Sequence, residues 1–151
     1  VFGKLKDFLS SHETQAPRPD LRTAVGVLLI EAAQRDDHFD PAERAAIMRV
    51  LSAKFALSPD ECAQLMAACE ATVAKLVQLH PYTQAIFLNM SAEERIQVIE
   101  MLWEVAYADG VLDPEEDVLI RRVAGLIDVT DRDRVLARQR VLARKGHPPG
   151  K

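Results

Sequence analysis

The chain has 151 residues, 48% of them apolar and 28% charged, with a formal net charge of −4. That is enough for one domain with its own hydrophobic core, and the balance argues against a disordered chain. The longest apolar run, "AVGVLLI" at 24–30, is far short of the roughly 20 residues that a membrane span needs, so an integral membrane protein is excluded as an expectation.

From the N-terminus, "VFGKLKDFLSS" lacks the long apolar stretch and small-residue cleavage site of a secretory signal. Phe2, Leu5, Phe8 and Leu9 fit one face of a short helix docked on the body. "SHETQAPRPD" at 11–20 reads as a linker, so residues 1–19 are expected to be an amphipathic segment and linker. The next segment carries a stripe of Leu21, Val25, Leu28, Leu29 and Ala32, and a second stripe runs through Ile47, Val50, Leu51 and Phe55. The longest runs from Cys62 through Met66, Cys69 and Val73 to Val77. Further stripes follow: Ile96, Ile99, Leu102, Trp103 and Ala106, then Leu119, Val123, Leu126 and Ile127. No segment alternates with the period of two that a strand requires.

Helix starts are marked along the way. Ser58-Pro59-Asp60-Glu61 and Ser91-Ala92-Glu93-Glu94 have the spacing of the capping box. Asp40-Pro41-Ala42-Glu43 and Asp113-Pro114-Glu115-Glu116 are the Asp version, with Pro at the first helical position. Thr130 opens a last helix in a weaker form. Stops are read at Asp36-Asp37, Leu57, His80-Pro81, Asn89 and Asp109-Gly110. The expected fold is therefore all-α, a compact bundle of about seven or eight short helices in one domain over 20–145, with 146–151 a disordered tail.

Cys62 and Cys69 lie about two helical turns, or roughly 10 Å, apart, too far to bridge. Two buried thiols without a disulfide suit a reducing compartment, hence a cytoplasmic location. Charge is uneven. From Thr130 onward seven Lys/Arg face two Asp, a net of +5, and the preceding residues carry −9. The acidic body argues against nucleic-acid binding, and the basic last helix either packs on that body or offers a basic face to a partner.

The segment 31–50 matches 104–123 at a constant offset of 73. Glu31, Asp36, Asp40 and Glu43 align with Glu104, Asp109, Asp113 and Glu116; Ala33, Pro41, Ile47, Arg49 and Val50 align with identical residues. Nine identities in twenty, four of them acidic, imply two similar halves. "YADGVLDPEE" at 107–116 resembles half of a calcium loop, but with Asp109 at loop position 5 the first and third positions become Val105 and Tyr107, which offer no carboxylate. An EF-hand is rejected. Capping accounts for Asp40, Glu43, Asp113 and Glu116; it does not account for Glu31, Asp36, Glu104 and Asp109. Convergence of these eight carboxylates would suit a hard divalent ion, Ca²⁺ or Mg²⁺, over zinc.

"LLIEAAQRDDHFDPAER" and "LWEVAYADGVLDPEEDVLIRRVAGLIDV", with Ala108-Asp109-Gly110 inside an A-x-A-D-G-x-x-x-x-x-E signature at 106–116, resemble the tellurite-resistance TerB-like family of small bacterial helical proteins. The resemblance covers about residues 20–142. It implies an all-helical domain of two similar halves, an acidic metal-binding cluster at the eight residues named above, and a stress-associated role linked to tellurite. It also implies a protein partner in a membrane-associated complex, with the chain peripheral to the inner membrane and able to form homo-oligomers. Asp37 stands where the second copy has Gly110, so the first turn departs from the signature.

The expected function is a non-enzymatic interaction module holding a divalent cation. The alternatives are a metal-dependent hydrolase and a scaffold for a basic partner with no metal. Against the enzyme, no phosphate loop, nucleophile elbow or H-E-x-x-H is present, and His12, His38, His80 and His147 have no partner at metal spacing.

Overall fold

The computed structural model describes residues 19–34 and 39–146. The amphipathic segment, most of the linker, Asp36, His38 and, apart from Gly146, the tail expected to be disordered lie outside them. Seven helices and no strand occur among the described residues: α1 (Leu21–Ala33), α2 (Pro41–Phe55), α3 (Pro59–Ala74), α4 (His80–Asn89), α5 (Ala92–Ala106), α6 (Pro114–Leu126) and α7 (Asp131–Arg144). None is long and apolar enough to cross a membrane.

Each helix but α4 begins with a side chain satisfying a free amide. Asp20, Asp40 and Asp113 accept from Thr23, Ala42 and Glu115 N–H at 2.7–2.8 Å. Ser58 and Ser91 form complete capping boxes with Glu61 and Glu94. Thr130 caps α7 through Asp133 N–H. His80-Pro81, read from sequence as a stop, is instead the uncapped start of α4; the preceding helix has already ended at Ala74. Val77, placed on the long stripe by its spacing, is consequently 96% exposed beyond the end of α3.

The ends of α2 and α6 match. Ala56 and Asp128 adopt left-handed backbone, with φ of 53° and 61°. The following amides close the helices, Leu57 N–H donating to Ser52 O and Val129 N–H to Ala124 O. The next residue in each case, Ser58 or Thr130, caps the next helix.

Helix α1 is the centre of the bundle. Ala24 to Ile30 is buried without interruption, as suits a helix apolar on every side. It packs against α2, α3, α4, α5 and α6. Gly26 sets the approach of α3: a Cβ there would lie 2.5 Å from Cys69 Sγ. The two cysteines are free and buried, with burial pushing the Cys69 thiol up to about 11. Within α1–α2–α3 every pair of helices packs together, and the same holds within α5–α6–α7. Across the two groups α1 meets α5, α2 meets α5, and α6 meets α1. Helix α4, resting on α1 and α6, has no counterpart of this kind among the described residues. Leu126, assigned by its spacing to the apolar stripe of α6, is 44% exposed.

Candidate functional site: the acidic helix starts

The eight acidic residues fall into distinct environments. Asp40 and Asp113 are the N-caps just described, half-buried at the starts of α2 and α6. Asp109 is exposed, and its Oδ1 accepts from Val111 N–H at 3.1 Å, closing the turn in which Gly110 has φ of 85°. Local hydrogen bonding to the backbone thus accounts for Asp109 as well as for the two N-caps.

Glu43 and Glu116 behave differently from their sequence pattern. Both stand at the third position of a helix, where Glu61 and Glu94 reach back to the N-cap amide. Neither Asp-capped helix forms that box. Their side chains are buried instead, to 2% and 1% exposure, and they are the only carboxylates among the described residues so deeply enclosed. A carboxylate keeps its charge in such surroundings only where positive charge or hydrogen-bond donors meet it.

Glu31 is half-buried in the last turn of α1, and burial raises its carboxyl above the ordinary range. Its partner by alignment, Glu104, is engaged elsewhere. Arg144 donates to its Oε1 at 3.1 Å, Lys145 Nζ lies 3.5 Å from its Oε2, and Arg49 approaches at 3.7 Å. Asp36 is outside the described residues. Among those that are described, no group of three or more His, Cys, Asp or Glu side chains is placed to hold an ion. Oxygen-only donors suit a hard cation, but Glu104 could join its three neighbours around one only by giving up these ion pairs.

The basic last helix lies on the acidic face of α5. Arg140 and Arg144 donate to Glu100 at 3.2 and 3.0 Å. Partial burial opposes the charge of Arg144, but its hydrogen bonds to Glu100 and Glu104 outweigh this and hold its pKa above the ordinary value. Arg138 lies over the rings of Trp103 and Tyr107, 5.7 and 5.8 Å from their centroids, and donates to Tyr107 Oη at 2.6 Å. The tyrosine hydroxyl is therefore bound within the protein. Trp103, a core residue as its spacing predicts, donates its indole N–H to Arg134 O.

Between α2 and α7, above α5, runs an open groove of about 660 Å³. Val50, Ala53 and Met101 form its apolar surface, and Arg49, Lys54, Arg144, Glu100 and Glu104 supply charge. Sequence reasoning did not find it. Its one local signal was the polar spacing Gln97, Glu100, Glu104 along α5; the partners on α7 lie some 40 residues away.

An all-helical bundle with paired Asp-Pro-x-Glu helix starts, each placing a glutamate inside, defines the class. The model of the family "Tellurite resistance protein TerB" matches residues 22–139, and the chain belongs to that family. Comparison with curated proteins and with solved structures finds no match.

Proposed function

We propose that the protein is a non-enzymatic TerB module whose acidic helix starts bind a divalent cation, Ca²⁺ or Mg²⁺, in a stress-associated role of the kind the family name carries. The observation that supports this reading is the burial of Glu43 and Glu116 at equivalent helix positions. A doubly charged ion would favour the ionised form of carboxylates held in dehydrated surroundings. The first turn is the stronger of the two, because Glu31 shares that desolvation and no described ion pair competes for it. In the second turn, Glu104 is held by α7.

The test is a titration with CaCl₂ and separately with MgCl₂, followed by amide NMR. Saturable shifts are expected over 39–43, with smaller ones over 109–117, and Glu43→Gln should abolish the first set. Amides that do not move at millimolar ion would sink the cation reading.

A further inference from the structure

The groove between α2 and α7 has a filled equivalent. Helices α2 and α7 both pack on α5 and have at most marginal contact with each other, so α5 is the floor of a trough. Advancing the α2 wall by 73 residues, and moving the α5 floor back by 73, gives the α6 and α1 positions of the other half. There α4 rests on both helices. On that side Val27, Leu28, Val123 and Ile127 are fully buried. In the open groove the aligned residues are Glu100, Met101, Val50 and Lys54.

Two consequences follow. The backbone arrangement that seats α4 on one side recurs on the other with no described helix in it. The surface is also charged where its equivalent is apolar, so an occupant that exchanges with water fits better than one buried permanently. Its charge has a sign. Arg49, Lys54, Arg140, Arg144 and Lys145 at and beside the groove outnumber Glu94, Glu100 and Glu104, on a body that is otherwise acidic. Arg49 is the most exposed of the cations, and its one described ion pair is long at 3.7 Å.

We propose that this groove docks a short acidic amphipathic helix from a partner protein, with aliphatic residues on Val50, Ala53 and Met101 and carboxylates toward Arg49, Lys54 and Arg144. Nucleic acid fits poorly, because no aromatic ring lines the groove to stack on bases. The proposal is independent of the cation reading: the groove needs neither Glu43 nor Glu116.

The probe is a stapled helical peptide of about three turns, with leucines at i, i+3, i+4 and i+7 and glutamates flanking them. It is titrated into the full chain with a chelator present, so that failure of cation binding leaves the result untouched. Saturable amide shifts are expected at Arg49, Ala53, Lys54, Gln97, Met101 and Arg144. Arg49→Glu should weaken binding about tenfold or more, with added salt acting in the same direction; because Arg49 is exposed, its thermal midpoint should stay close to wild type. A peptide with lysine in place of every glutamate should not bind. The proposal is overturned by absent or non-saturable shifts at about millimolar peptide, by equal binding of the lysine peptide, or by shifts that map elsewhere. It is also overturned if sedimentation finds a dimer that Arg49→Glu dissolves, since a second copy would then be the occupant.

Discussion

Gly26→Ala tests the packing of α1 on α3 directly. In an ordinary helix interior the change stabilises by about 1 kcal/mol. Here the new Cβ would sit 2.5 Å from Cys69 Sγ, more than an ångström inside the roughly 4 Å of normal apolar contact. The thiol has a single torsion with which to retreat, and Thr23 O lies 3.8 Å from it. Overpacking of this kind costs about 1–3 kcal/mol; at the 2.5 Å approach the upper part of that range applies, so a net loss of up to about 2 kcal/mol is expected. Cys69→Ala removes the sulfur. The nearest atom to the new methyl is then the Cβ of residue 69 at 3.5 Å, with Leu51 Cδ1 at 3.8 Å, both ordinary contacts. In that background Gly26→Ala should stabilise by up to about 1 kcal/mol, a coupling of about 1–3 kcal/mol around the cycle. Urea denaturation of the four proteins measures it. A Gly26→Ala protein at or above wild-type stability, or one responding equally in both backgrounds, refutes the close approach.

Cys69 also carries a pH dependence. An unfolded thiol ionises near pH ~8.5, whereas the folded one stays protonated up to about 11. The unfolded state therefore releases its proton first, and stability falls as pH rises from about 9 to 11, by on the order of 2 kcal/mol. Urea midpoints across that range should fall less steeply in Cys69→Ala. Ala56→Gly relieves a left-handed alanine at the end of α2 and should stabilise by about 1 kcal/mol, read as a thermal midpoint a few degrees higher. Tyr107→Phe removes the acceptor for Arg138 and should cost about 1 kcal/mol in chemical denaturation, while the ring contacts persist.

Local features were legible in the sequence because they rest on local rules. Ser58 and Ser91 with their glutamates three residues on, Gly110 in its turn, and helix continuing through Val105 all follow from the residues in place. Glu43 and Glu116 were not legible. Asp-Pro-x-Glu and Ser-x-x-Glu look alike in a sequence, and whether the glutamate bends back to the cap or turns inward depends on what packs above it. The roles are thus reversed: the capping pattern accounts for Glu116 and leaves Asp109 and Glu104 over, whereas in the fold Asp109 closes a turn and Glu104 pairs with α7. That pairing spans 40 residues, and periodicity within one helix carries no information at such range. Leu126 failed for a related reason, since its stripe is covered only where a neighbouring helix lies over it.

The near-continuous burial of α1 bears on how the chain must be made. Its apolar surface is covered from two directions, by α2 and α3 from the next part of the chain and by α5 and α6 from much later. During synthesis "AVGVLLI" emerges well before α6 exists to shield it, so the growing polypeptide carries a sticky segment until most of the domain is out of the ribosome. The alignment of the two segments invites cutting the protein into two pieces. Neither piece would be a viable product: the first would leave one side of its central helix uncovered, and the second would leave α5 and α6 without the helix they close upon. The two parts are inseparable partners, and selection on either must act through α1.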